Sequence, residues 1–298
     1  MVPRRSESSS AALALAAIAT TWGFIGLIVR QLDLPAVAIV AARCWLGAIG
    51  IGLGLAVYAW RTGARPPWPS RPWLTAACGV LLAVHWLLLV AAQQRAPLGT
   101  VMLVMYLAPV LVAVLAPRVL GETVAPTTKL ALVLAVAGLA LLARPAPGAV
   151  DGFLLAVGAG VTFAAWTLVS KAVVAELGGF WLGFSNLGIA GLVLAPWALL
   201  VDWGTPVWSW SWLLVLGLGM TALLGPLYLV VLDHLPASSA SVLLYLEPVS
   251  TLALAWIILG ETPTPLTLAG GSLIVAGGVI VLRHPAAQHT EVVSHVPG

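Results

Sequence analysis

Long apolar runs alternate with short polar breaks along this chain. Ten apolar segments can be read, at about 11–30, 36–60, 73–93, 97–118, 126–143, 152–173, 179–201, 211–232, 236–259 and 265–282. Most reach the roughly 20 residues that an α-helix needs to cross the hydrocarbon of a bilayer. None shows the period-2 alternation of a membrane β-strand. The breaks carry proline, glycine and charge, as in Arg61-Thr62-Gly63-Ala64-Arg65-Pro66-Pro67 and Arg144-Pro145-Ala146-Pro147-Gly148. The pattern predicts an all-α polytopic membrane protein with ten transmembrane helices. Arg4 and Arg5 precede the apolar run Ala11 to Val29 and imitate a signal peptide. That run is longer than a signal core and more hydrophobic helices follow it, so a first transmembrane helix is expected.

The pattern repeats. Tyr106-Leu107-Ala108-Pro109-Val110 matches Tyr245-Leu246-Glu247-Pro248-Val249, and Leu120-Gly121-Glu122-Thr123 matches Leu259-Gly260-Glu261-Thr262, both at an offset of 139 residues. The same offset joins Trp73 to Trp212, Pro97 to Pro236, Pro126 to Pro265, Gly138 to Gly277 and Arg144 to Arg283. Residues 73–144 therefore correspond to 212–283 without a gap. The first two helices of each half match more weakly. Five helices per half put the second half upside down relative to the first. The expected organisation is a tail at 1–10, a first repeat at 11–145, a second at 151–283 and a tail at 284–298. Inverted repeats are a signature of secondary transporters, whose substrate sites lie at the repeat interface near the midplane.

Composition agrees with this picture. Of 298 residues, 61% are hydrophobic and 8% charged, against about 25% charged in an ordinary globular domain, which excludes a soluble enzyme or a disordered chain. The net charge of +3 comes from scattered Lys and Arg, so it reads as membrane topology and not as a nucleic-acid surface. With the N-terminus in the cytoplasm, that side receives Arg4, Arg5, Arg61, Arg65, Arg71, Arg118, Lys129, Lys171 and Arg283. The far side receives Arg30, Arg95 and Arg144. This bias predicts that both termini are cytoplasmic. Trp68, Trp73, Trp203, Trp208, Trp210 and Trp212 fall at segment ends and read as interfacial anchors. Cys44 and Cys78 lie in apolar stretches without metal-ligand spacing and read as small buried hydrophobes.

On these residues the chain resembles the EamA-type exporters of the drug/metabolite transporter superfamily. The resemblance covers about 11–283 and rests on Trp22-Gly23, Arg43 and the two cassettes Pro109…Gly121-Glu122 and Pro248…Gly260-Glu261. It implies ten helices in two five-helix repeats and export of small metabolites across a bacterial inner (plasma) membrane. Amino acids are the cargo it favours: the Leu246-Glu247-Pro248 form is similar to that of several amino-acid exporters. His85 and the mid-helix aromatic residues carry a fainter likeness to exporters of aromatic amino acids.

Three titratable side chains lie well inside predicted spans. Glu247 is the single mid-helix acid. A charge at a helix centre costs roughly 2.5–3.5 kcal/mol on insertion scales, so it is kept where it faces a cavity or a partner. It is read as a site for a substrate amine or a proton, with a buried structural carboxyl as the alternative. Arg43 shares a stripe with Gly47, Gly50 and Gly54; it would bind a substrate carboxylate, pair with Glu247, or lock helices together. His85 is a packing or a cavity-lining histidine. Trp22, Trp86 and Trp166 lie away from the interfaces, and Thr162, Trp166 and Ser170 share one helical face that would suit an organic solute. Tyr106 and Tyr245 are repeat mates beside prolines and are candidate gates. Glu122 and Glu261 follow glycine at helix ends, where a structural bond to backbone donors is expected.

No phosphate-cradling loop, H-E-x-x-H or G-x-S-x-G motif is present, and neither a metal nor a cofactor is expected. The leading reading is a non-enzymatic exporter working by alternating access, with a small-molecule substrate and the lipid bilayer as partners and no nucleic acid; export coupled to protons and export that is merely downhill both remain open. The alternatives are a facilitative channel or flippase-like carrier of lipid-linked intermediates and, more remotely, an intramembrane enzyme.

Overall fold

The computed structural model describes residues 5–96, 98–142, 150–259 and 265–284. Pro97, Arg144 and Glu261 lie outside the described residues. All regular structure among those described is helical. In chain order the helices are α1 (Arg5–Trp22), α2 (Phe24–Val29), α3 (Ala36–Thr62), α4 (Pro72–Arg95), α5 (Leu98–Met105), α6 (Ala108–Val119), α7 (Pro126–Leu142), α8 (Val150–Leu177) and α9 (Gly179–Ala198). There follow α10 (Val207–Leu214), a π-helical segment (Val215–Leu223), α11 (Leu224–His234), α12 (Ala237–Leu243), α13 (Leu246–Leu259) and α14 (Pro265–Arg283).

Seven helical stretches are long and apolar enough to cross a membrane: Ser8–Val29, Ala36–Thr62, Pro72–Arg95, Val150–Leu177, Gly179–Ala198, Val207–His234 and Ala237–Ile258. Three shorter apolar helices, Ala108–Val119, Pro126–Gly138 and Leu268–Arg283, fall in the remaining predicted segments. Leu13, Leu53, Leu192, Leu200 and Ile257 are among the many large apolar side chains on the outside. Water would not tolerate so much exposed apolar surface, and lipid would. Trp68, Trp73, Trp208, Trp210 and Trp212 are exposed as well, as anchors would be. Cys44 and Cys78 are free and buried.

Proline explains two interruptions. Pro109 has no N–H to offer the carbonyl of Met105. The next donor, the Val110 N–H, bonds the Leu107 carbonyl at 3.0 Å, which leaves the Tyr106 carbonyl without its helical partner. The rod breaks there into α5 and α6. Pro248 acts in the same way between α12 and α13, where the Glu247 N–H turns back to the Leu244 carbonyl at 3.0 Å. A third break falls at Gly23. A Cβ on Gly23 would stand 2.0 Å from Ser250 Oγ and 2.9 Å from the Thr251 nitrogen, so only glycine lets α1 approach α13 this closely.

Positions 139 residues apart meet similar surroundings. α7 packs along α14. A Cβ on Gly138 would lie 2.4 Å from the Gly270 carbonyl oxygen, and one on Gly277 would lie 2.7 Å from that of Ala131. The same offset relates Ala131 to Gly270. α4 packs on α8 and α9, as α11 packs on α1 and the π-helical segment on α3. In the Arg43 stripe, Gly47 lies against Leu187 and Thr221 and Gly50 against Leu218 and Ala222, whereas Gly54 faces open space.

Candidate functional site

The helix breaks and close-packed glycines surround a cavity. α1 contributes Trp22, α3 Arg43, α4 His85, Trp86 and Gln93, and the α5–α6 break Tyr106. α8 contributes Phe163 and Trp166, α9 Asn186, the π-helical segment Thr221, and α13 Glu247.

One wall is aromatic. His85, Phe163, Trp166, Tyr228 and Trp22 form an unbroken chain of rings with successive centroids 4.9, 5.8, 5.7 and 5.5 Å apart. The Phe163–Trp166 and Trp166–Tyr228 pairs are stacked. The His85 ring is fixed at its far edge, because its Nδ1–H donates to the Ala159 carbonyl at 2.9 Å.

The charged groups sit among these rings. Arg43 is buried, with its guanidinium 4.1 Å from the centroid of the Trp86 ring, a cation–π distance. Its Nε–H donates to Thr221 Oγ1 at 3.3 Å. Glu247 Oε2 accepts the Tyr106 hydroxyl at 2.6 Å, short for an O–H donor. Arg43 and Glu247 thus each have a neutral hydrogen-bond partner of their own.

The two tyrosines show how a single residue breaks the repeat. The Tyr245 hydroxyl donates to the freed Tyr106 carbonyl at 2.7 Å, with ring centroids 5.4 Å apart. A symmetric copy would send the Tyr106 hydroxyl back to the Tyr245 carbonyl. It goes to Glu247 instead, a carboxylate standing where the first repeat has Ala108. Ser250 and Thr251 donate to the Glu247 carbonyl at 2.8 and 2.9 Å, and Thr251 Oγ1 also lies 3.1 Å from the Gly23 carbonyl. These bonds fix the backbone that carries the carboxylate.

Of the ten residues expected at the site, the cavity gathers Glu247, Arg43, His85, Tyr106, Trp22, Trp86 and Trp166. Tyr245 stands behind Tyr106. Thr162 spends its hydroxyl on the Gly158 and Ala159 carbonyls of its own helix, at 2.7 and 3.1 Å. Ser170 is buried against Cys78 Sγ at 3.7 Å. Neither hydroxyl is among the cavity-lining groups. Sequence reasoning passed over Asn186, Gln93, Phe163, Thr221 and Tyr228. One signal was available: Asn186 is the only asparagine in the chain.

Outside the cavity, both oxygens of Glu122 accept the Ala237 N–H, at 3.0 and 2.9 Å, so this loop carboxylate holds the start of α12. Partial burial raises its pKa above the ordinary 4.5, against the opposing effects of the backbone donors and Lys171.

A sequence model described as the EamA-like transporter family matches residues 9–144 and again 151–283. A probable terminal-alkyne amino-acid exporter of Streptantibioticus cattleyicolor is 26% identical over 245 residues, covering 80% of this chain and 82% of that protein. The threonine/homoserine exporter RhtA of Escherichia coli is 31% identical over 201 residues, covering 64% of this chain and 65% of that protein. A chain of known crystal structure superposes with a TM-score of 0.75 at 24% identity, covering 91% of this chain and 96% of that one, so the two share a fold.

Proposed function

The chain belongs to the EamA-like transporter family, one of transporters and not of enzymes, and on that premise we propose that it exports an amino acid or a closely related zwitterion. The observation that carries this reading is the pairing of Glu247 and Arg43 in one aromatic-walled cavity. Glu247 receives the α-ammonium and Arg43 the α-carboxylate. Trp166 and its stacked neighbours form the wall for the cargo's carbon skeleton. Two relatives carry the names of amino-acid exporters, which supports the same cargo class.

The mechanism is alternating access by two inverted five-helix repeats, 11–145 and 151–283, rocking about the cavity near the membrane midplane. The paired contacts at an offset of 139 residues support this reading, as does the meeting of Tyr106 with Tyr245. Those broken helices are the gates. The tails 1–10 and 284–298 lie on the cytoplasmic side of a bacterial inner membrane, in keeping with the Lys and Arg bias. Proton movement through Glu247 is one way to energise export.

Counterflow in proteoliposomes with a panel of labelled amino acids tests the cargo. Exchange of at least one of them above protein-free vesicles is expected. Exchange of none would remove the amino-acid reading. A reporter fused at residue 66 should read cytoplasmic and one at residue 205 external, and the reverse would invert the topology.

A further inference from the structure

Asn186 is the cavity group that neither the repeat nor the two charges account for. It lies on α9, is 1% exposed, and lines the cavity. Neither its Oδ1 nor its Nδ2 has a hydrogen-bond partner. An amide left this way inside a protein carries its full desolvation penalty, so such groups are kept where something else completes them.

Its position is built by packing. One turn before it, Gly183 sits 3.0 Å, measured from a Cβ placed there, from Pro226 of α11. The next residue, Leu187, fills the space over Gly47, one turn along α3 from Arg43. Gly79 of α4 lies against the Asn186 carbonyl oxygen, which would be 3.2 Å from a Cβ there. α9 is thus pinned to three neighbours, and the amide is held in place with both of its atoms unused.

The other unpartnered cavity atoms are Trp22 Nε1, Trp166 Nε1 and Gln93 Oε1, each a single donor or acceptor. Among the described residues that line the cavity itself, Asn186 alone leaves two buried atoms, a donor and an acceptor, open together; the Tyr228 hydroxyl also lacks a partner but stands outside that lining. A neutral group that both gives and takes a hydrogen bond, a hydroxyl or a carboxamide, is the complement of that pair.

We infer that Asn186 is a specificity-determining residue that hydrogen-bonds a hydroxyl or carboxamide on the cargo's side chain, so that the transporter favours such amino acids over apolar ones of the same shape. This rests on the amino-acid reading above, with Glu247 and Arg43 holding the backbone ammonium and carboxylate.

The test uses two shape-matched pairs in proteoliposome counterflow: threonine with valine, and asparagine with leucine. Wild-type protein is expected to exchange the polar member of at least one pair about tenfold faster. In N186L that preference should fall to near unity. Equal rates within both pairs for wild-type protein that does exchange amino acids would overturn this inference and leave the amino-acid reading standing. So would a preference that survives N186L, or equal losses on both members. Wild-type protein that exchanges no amino acid overturns both. Where N186L gives no monodisperse protein, N186S and N186A decide. Preference kept in N186S and lost in N186A supports the contact, and equal preference in the two contradicts it.

Discussion

Replacing Tyr106 by Phe removes one hydroxyl and preserves the ring that packs on Tyr245. That hydroxyl donates to Glu247 Oε2 at 2.6 Å from a side chain only 2% exposed. A hydrogen bond to a charged group contributes about 1.5–3 kcal/mol in soluble proteins. Inside membranes, measured side-chain bonds average about 0.6 and reach about 1.7 kcal/mol. The short distance places this bond toward the upper end of the membrane range, at about 1–1.7 kcal/mol. For a chain of this size that corresponds to a fall in Tm of about 2–3 °C. The assay is thermal unfolding of detergent-purified protein at one fixed scan rate, run as a double-mutant cycle of Y106F with E247Q. Coupling of about 1 kcal/mol is expected between those two. Y245F with E247Q should be additive within about 0.5 kcal/mol, because the Tyr245 hydroxyl bonds a carbonyl and not the carboxylate. Additivity of Y106F with E247Q within the same limit would refute the view that this bond holds Glu247.

Close approach at the α7–α14 contact predicts that G138A destabilises by roughly 1–3 kcal/mol, since its Cβ meets the Gly270 carbonyl, while G54A, facing open space, is neutral or slightly stabilising; Tm comparison of the two variants checks this. R43K keeps the charge but loses the planar group over Trp86 and the Nε–H to Thr221. Counterflow should fall about tenfold in R43K with protein yield unchanged, and a wild-type rate would show that the guanidinium has no part in transport. Glu122 carries a raised pKa, so its stability contribution is present below about 4.5 and lost as pH rises above it. The drop in Tm on raising pH through that region should be smaller in E122Q than in wild type, and an identical pH profile would contradict the assignment.

The helical segments were legible because lipid demands long apolar runs and proline breaks them at fixed places. The α5–α6 and α12–α13 interruptions follow from Pro109 and Pro248 by the same reasoning that named Tyr106 and Tyr245. Glu247 and Arg43 stood out because a charge in an apolar run is expensive. His85 and Trp86 both line the cavity, although a step of about 100° between neighbours does not require it. Thr162 and Ser170 misled for a physical reason. A hydroxyl on a helix can bond the carbonyl one turn back, as Thr162 does, or a buried neighbour, as Ser170 does, and a shared face does not reveal which. Asn186 and Gln93 were missed because neutral amides cost less to bury than charges, and their value depends on partners that only packing supplies. Gly23 was visible as part of the Trp22-Gly23 pair, but its cause, Ser250 at the place of a Cβ, needed the contact between α1 and α13.

In the proposed mechanism Glu247 receives the cargo's ammonium group in the cavity. Counterflow by wild type and E247Q, challenged by an amino acid and by the same molecule without its amine, tests it most directly. Wild type should be inhibited at least about tenfold more strongly by the amino acid. In E247Q, exchange of the amino acid should collapse and the advantage over the amine-free analogue should disappear. Wild-type exchange rates and undiminished discrimination in E247Q would contradict the claim.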